Sequence, residues 1–245
     1  MSTAPPHYSA AAAKPDQSRL TRSAILRFIL FLLLVPAALL LTAGRADWFM
    51  GWVYIGLVMV FSAGSRFIVL RKDPDLLAER AQSLSKEDAK PWDKWIVLQI
   101  AMVGPIAMLV VCGLDERFGW SPDMPPGYQL AALGIIVLGY FLGTWAMMVN
   151  RFFSAVVRIQ KDRGHQVVSG GPYRLMRHPS YIGGILSDLT IPFLLGSFWA
   201  LIPGVYLAAL MILRTALEDR TLREELEGYE EYTRKVRFRL VPGIW

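Results

Sequence analysis

Residues 171–184 read GPYRLMRHPSYIGG, and the chain continues apolar from there to Leu195. The reading of this stretch decides the fold. Gly170-Gly171-Pro172 must bend, because glycine admits positive φ and proline fixes its own. YRLMR suits a short helical turn. His178 precedes Pro179 and is pushed out of the helical region, while Pro179 fits the first position of a helix. That helix opens with unsatisfied backbone N–H groups that attract an anion, and Gly183 and Gly184 leave its first turn bare of bulk. On spacing alone the same residues also read as an ordinary helix start with glycines easing a neighbour's approach, and Arg174 and Arg177 as cations flanking a span.

Working outward, the 245-residue chain is 54% hydrophobic, too apolar for an ordinary soluble domain of this size. A bilayer core of roughly 30 Å asks for about 20 apolar residues per helix. Six runs qualify: 24–43 with Pro36 as a kink, 47–70 interrupted by Arg66, 95–114, 128–149, and two shorter ones, 180–195 and 198–213, joined by Gly196-Ser197 as a helical hairpin. The fold class expected is an all-α polytopic membrane protein of about six transmembrane helices. A pocket on the cytoplasmic side would lie between the connector before span five and the C-terminal helix.

Charge placement sets the orientation. Lys14, Arg19, Arg22 and Arg27 precede span one, and a cation-rich loop, 71–94, joins spans two and three. The connector 150–179 carries Arg151, Arg158, Lys161, Arg163, Arg174 and Arg177, and the tail is basic from Arg214 on. Only Arg45 and Arg117 fall in the opposite loops. Both termini are therefore expected in the cytoplasm, and the net charge of +6 reads as a topology signal rather than as nucleic-acid binding. Trp48, Trp52, Trp92, Trp95, Trp120 and Tyr128 sit near span ends as interfacial anchors. The single cysteine, Cys112, permits no intramolecular disulfide. Residues 1–20 read as a disordered tail, 21–149 as a four-helix scaffold with Gly134, Gly139 and Gly143 suited to close helix contact, and 150–245 as the working region.

The second constellation is LRTALEDRTLREELEGYEEYTRKVRFRLVPGIW, 213–245. Arg214, Glu218 and Leu222 share a helix face that carries span six out of the membrane. Arg214 and Glu218 read either as an i, i+4 ion pair or as a site where the arginine's planar fork holds a lipid-borne carboxylate. Tyr229 and Tyr232 can fold the tail over the connector.

GlyProTyr-x-x-x-Arg, then HisPro-x-Tyr-x-Gly, then Arg-x-x-x-Glu-Asp-x-x-Leu, Tyr-x-x-Tyr and a final Arg-Leu-x-Pro resemble the isoprenylcysteine carboxyl methyltransferase family over residues 150–245. Arg151-Phe-Phe-Ser and Val157-Arg-Ile-Gln resemble its bacterial members. The resemblance implies S-adenosylmethionine enclosed by the connector and the C-terminal helix, with a prenylated or otherwise lipophilic substrate entering between helices from the membrane lipid. It implies cofactor contacts at His178 and Tyr181, a pocket formed by Gly171, Pro172, Tyr173, Arg174 and Arg177 with Gly183, Tyr229 and Tyr232, a substrate-carboxylate role for Arg214, and a cofactor-pocket role for Glu218. It also implies an integral protein of a bacterial inner membrane with its site at the cytoplasmic face. The family often has Glu where Asp219 stands. Asp188, an acid inside span five, reads as functional by default or as a partner for Arg66.

A carboxylate is already ionised at neutral pH, so this chemistry needs alignment and water exclusion rather than a general base. No dinucleotide-type Gly-rich turn is present, and His7, His165 and His178 lack metal-ligand spacing. Other readings stay open: N-methylation of a phospholipid or other lipid amine, with His178, Asp188 or Glu218 as proton acceptor; a nicotinamide-dependent reductase; or a non-catalytic membrane protein.

Overall fold

A computed structural model describes residues 17–83 and 86–245. Residues 1–16 of the expected tail, with His7 and Lys14, lie outside the described residues. Helix α1 (Gln17–Ala43) begins earlier than the apolar run at Ala24. It is followed by α2 (Phe49–Lys72), a short α3 (Pro74–Gln82), and α4 (Pro91–Leu98), which passes through a π turn into α5 (Gly104–Phe118). Then come α6 (Pro126–Val149), α7 (Pro179–Leu195), α8 (Leu201–Glu225) and α9 (Tyr229–Lys235). Among the described residues, four helical stretches are long and apolar enough to cross a membrane: 49–72, 91–118, 126–149 and 201–225. Two shorter apolar helices cover 28–43 and 179–195.

The four long stretches and the two shorter apolar helices share one core. Leu39, Tyr54, Met108, Cys112, Ile136, Leu194 and Leu207 come from α1, α2, α5, α6, α7 and α8 in turn. Large apolar side chains also point outward, among them Leu41, Val60, Leu130, Leu138 and Ile202. An apolar exterior around an apolar core is what a bilayer solvent requires. Trp52, Trp95, Trp120 and Tyr128 are exposed as anchors should be, whereas Trp48 is buried and packs within the bundle.

Small residues set the closest approaches, as expected where packing replaces the hydrophobic drive. A Cβ on Gly183 of α7 would lie 2.4 Å from the Gly139 carbonyl of α6, and one on Gly204 of α8 would lie 2.6 Å from the Asp188 carbonyl. Of the three α6 glycines expected at contacts, only Gly139 makes one; Gly134 and Gly143 face open space. The third span carries the π turn at Gln99–Val103, where the Gly104 N–H reaches back five residues to the Gln99 carbonyl. Pro105 follows at the start of α5 and has no N–H to give, so the ladder is re-registered just before it.

The loops sort to two ends. At one, Arg45 pairs with Glu116 at 3.0 Å, and buried Asp115 accepts from Ser121 N and Oγ and from Ser197 Oγ. At the other lie α3, the connector 150–178 and the tail from Thr215, where the polar chemistry gathers.

Candidate functional site

The connector lacks regular structure beyond two 3-10 turns and is held by side chains. Asn150 ends α6; its Oδ1 accepts from Phe152 N at 2.9 Å and its Nδ2 donates to Tyr173 Oη at 3.3 Å. Gln160, fully buried, donates to the Phe152 carbonyl at 2.6 Å. Buried Arg158 donates to Glu79 at 2.9 Å, Asp88 at 2.7 Å and Asp162 at 3.1 Å, which pins the connector to α3 and the loop after it. The His165 ring lies tilted against Phe152 with centroids 4.7 Å apart, and its Nδ1 accepts from Gln160 N at 3.3 Å. Burial, with Arg158 and Arg163 nearby, lowers the His165 pKa from 6.5 to about 4.

The expected bend is present: Gly171 has φ +55° and opens the turn Gly171–Arg174, and a Cβ there would meet Val149 at 2.9 Å. His178 lies outside the helical region (φ −127°, ψ 63°), with Pro179 at the first position of α7. The tail then returns to this junction. Arg177 N donates to the Phe238 carbonyl at 3.0 Å and His178 N to the Arg239 carbonyl at 2.9 Å.

Asp219, fully buried on α8, joins the pieces. It accepts from Arg177 Nε and Nη2 at 2.7 and 3.1 Å, from Arg239 Nε at 2.8 Å and from Tyr229 Oη at 3.1 Å. Arg177 Nη1 also donates to the Val236 and Arg237 carbonyls, each at 2.8 Å. Tyr232 Oη donates to the Tyr173 carbonyl at 2.7 Å. Connector and tail therefore close over one another, with Ile159 and Val167 packed against Leu226, Tyr229, Tyr232 and Val236.

Between them lies a cavity of about 90 Å³. Of the residues named from sequence, Tyr173, Arg177, His178, Tyr181, Arg214, Glu218, Tyr229 and Tyr232 line it. Four do not. Gly171 sits against Val149 and Trp145, Pro172 is buried, Arg174 is exposed, and Gly183 packs on Gly139, which is the helix-contact reading of that glycine. Tyr181 Oη donates to Glu218, and the Tyr181 ring stacks on His178 at 5.6 Å. Among the described residues His178 Nε2 is buried without a hydrogen-bond partner; its nearest carboxylate oxygen, on Asp219, is 3.6 Å away.

Arg214 is not held as the i, i+4 reading would have it. It forms no ion pair with Glu218. Its Nε and Nη2 donate to Asp93 at 2.7 and 3.1 Å, and Nη2 also donates to the Ala155 carbonyl at 2.9 Å. Among the described residues its Nη1 has no partner. Asp93, on the first turn of α4 and fully buried, was absent from the sequence reading, as was all of α3. Nor do Arg66 and Asp188 pair: Arg66 lies over the Phe28 ring at 4.1 Å.

A second cavity, of about 420 Å³, lies within the bundle, lined by Phe31, Tyr54, Val58, Phe61, Met108 and Ile191 with Arg66, Arg80 and Asp188. Phe153 and Ser180 line both cavities, so the polar chamber and the apolar one adjoin there.

Residues 132–224 match the isoprenylcysteine carboxyl methyltransferase (ICMT) family. Over this segment the chain is similar to that family. A protein-S-isoprenylcysteine O-methyltransferase of Schizosaccharomyces pombe is 34% identical over 44% of this chain and 48% of its own length. Protein-S-isoprenylcysteine O-methyltransferase B of Arabidopsis thaliana is 29% identical over 33% of this chain and 43% of its own. A Delta(14)-sterol reductase of Mus musculus is 23% identical over 80% of this chain and 52% of its own. The chain thus spans about half the length of the curated relatives it matches. The segment matched to the family runs from α6 through α8. It contains His178, Tyr181, Arg214 and Glu218, while Arg80 and Asp93 precede it and Tyr229 and Tyr232 follow it.

Proposed function

We propose that this protein is an S-adenosylmethionine-dependent methyltransferase that esterifies the carboxylate of an isoprenylcysteine-type lipophilic substrate. We further propose that it works at the cytoplasmic face of a bacterial inner membrane, with both termini on that side, since Arg and Lys crowd the site's end of the bundle. The observation that carries the reading is the meeting of a polar chamber and an apolar one at Phe153 and Ser180. The names of the Schizosaccharomyces and Arabidopsis relatives support it.

The smaller chamber suits the methyl donor by its donor and acceptor set. His178 Nε2 is a buried polar atom lacking a partner, which a bound ligand can satisfy. Tyr173, Tyr181, Tyr229 and Tyr232 present rings that suit a cationic centre, and Glu218 adds a negative charge. A half-open space of about 90 Å³ holds part of such a ligand and leaves the remainder towards solvent. Bound there, the donor would supply an electrophilic methyl group on a sulfonium, and a carboxylate acceptor, already ionised at neutral pH, would need no general base from the protein. Tyr181 fixes Glu218 by its hydroxyl. Asp93 holds Arg214 rigid, leaving Nη1 to face the substrate, and the buried Tyr229 and Tyr232 keep water out. The larger chamber takes the prenyl tail, at a volume within the roughly 300–1,000 Å³ usual for small-molecule sites.

Purified protein in detergent is expected to bind S-adenosylmethionine saturably and to transfer a labelled methyl group to a farnesylated cysteine, releasing it as methanol in base. Absence of saturable binding at millimolar donor refutes the reading. A base-stable product assigns the acceptor as an amine, with Glu218 or His178 as the proton acceptor.

A further inference from the structure

Three arginines near the site have their charge answered. Arg158, Arg177 and Arg214 each hold one or more buried carboxylates at hydrogen-bond distance. Arg80 does not. It leaves the last turn of α3, where it lines the larger cavity. Its Nη1 makes one long bond to the Phe153 carbonyl, at 3.4 Å, and its guanidinium lies over the Phe153 ring at 5.1 Å. Among the described residues it forms no ion pair. Burial, with Arg66 and Arg214 nearby, lowers its pKa to about 10, as befits a cation without a counter-charge. Asp188 lines the same cavity, but α7 carries it about 12 Å deeper than Ser180, at 1.5 Å per residue.

The position is specific. Phe153, which Arg80 touches, is one of the two residues shared by both chambers. An amphiphile with its tail among the apolar side chains would bring its head to this point. Arg214, the arginine singled out from sequence, has two of its three guanidinium nitrogens already committed to Asp93 and Ala155. A guanidinium still open on its fork grips a carboxylate bidentately, which a single remaining nitrogen does not.

We propose that Arg80 binds the substrate's anionic head at the junction of the two chambers, with Arg214 Nη1 as its second donor. The identity of that anion as a methyl-accepting carboxylate rests on the function proposed above; the anion site itself does not. A phospholipid phosphate shares the chemistry and is the competing source.

The test uses the full-length protein in phosphatidylcholine nanodiscs and measures binding of a farnesyl thioether bearing a free carboxylate against its methyl ester. Wild type is expected to prefer the acid by about tenfold or more, the usual worth of a charge-assisted bond. Arg80→Gln should lose that preference and Arg80→Lys keep part of it, while both bind S-adenosylmethionine as wild type does. An acid preference that survives in Arg80→Gln overturns the proposal, as does its absence from wild type. Replacing part of the lipid with phosphatidylglycerol should leave the preference intact; if it disappears, the site belongs to lipid headgroups and the substrate assignment falls. An Arg80-dependent acid preference in protein that binds no S-adenosylmethionine upholds the anion site and refutes the methyltransferase reading instead.

Discussion

Asp93 offers the sharpest check on the site. Its carboxylate is fully buried and answers a guanidinium that is 6% exposed. Asp93→Ala leaves Arg214 charged and unpaired and strips the 2.6 Å acceptor from Val157 N. Removing one partner of a buried pair costs about 3–5 kcal/mol, a large share of the roughly 5–15 kcal/mol that holds a domain folded. For a chain of this size the melting temperature should fall by about 10 °C. The double variant Asp93→Ala/Arg214→Met removes the stranded charge along with its partner. It should regain about 2 kcal/mol or more over the sum of the single changes, yet have no activity. Thermal unfolding in detergent, run on the full double-mutant cycle with S-adenosylmethionine affinity measured in parallel, reads all of this. The reasoning fails if Asp93→Ala melts with wild type, or if the two changes are additive.

Asp219→Asn removes the charge shared by Arg177 and Arg239 and should cost about 3–5 kcal/mol; limited trypsin digestion should then cut the chain faster beyond Glu225. His165 has a folded pKa lowered to about 4 from 6.5, so its contribution is whole above pH 6.5 and is lost as pH falls from 6.5 towards 4. After allowance for its partial exposure that contribution is roughly 1–2 kcal/mol, and a pH series of melting curves should flatten over this window in His165→Gln. Gly183→Ala drives a Cβ into the Gly139 carbonyl and should cost about 1–3 kcal/mol, whereas Gly143→Ala, in open space, should melt within about 0.5 kcal/mol of wild type.

The spans were legible because each needs only a run of apolar residues of bilayer length, a property of consecutive positions. The start of α7 was legible for the same reason: Pro179 and Gly171 act on their own backbone dihedrals. Helix α3 was missed although a local signal existed, Asp73 accepting from Leu76 N with Pro74 at the first helical position; the charged loop around it drew the reading towards irregular chain. Asp93 gave no usable signal. An acid in a helix's first turn is already explained by the helix dipole, and its partner lies 121 residues away. The i, i+4 pairing of Arg214 with Glu218 and the pairing of Arg66 with Asp188 rested on sequence proximity or shared oddity. Tertiary packing chose other partners. Gly134, Gly139 and Gly143 look equivalent in sequence, and only the rotation of α6 against α7 picks out Gly139.

The hub at Asp219 has an asymmetric consequence for how this chain tolerates change. Several donors from three segments converge on one acceptor, and each donor duplicates in part what another supplies: Arg223 stands 3.3 Å from Asp219 Oδ2 beside Arg239. Loss of a single donor leaves the clasp closed through the rest. Loss of the acceptor opens it everywhere at once and turns its cations against each other. Redundancy on one side and a single point of failure on the other make Asp219 the place where one altered base would undo the enclosure of the whole chamber.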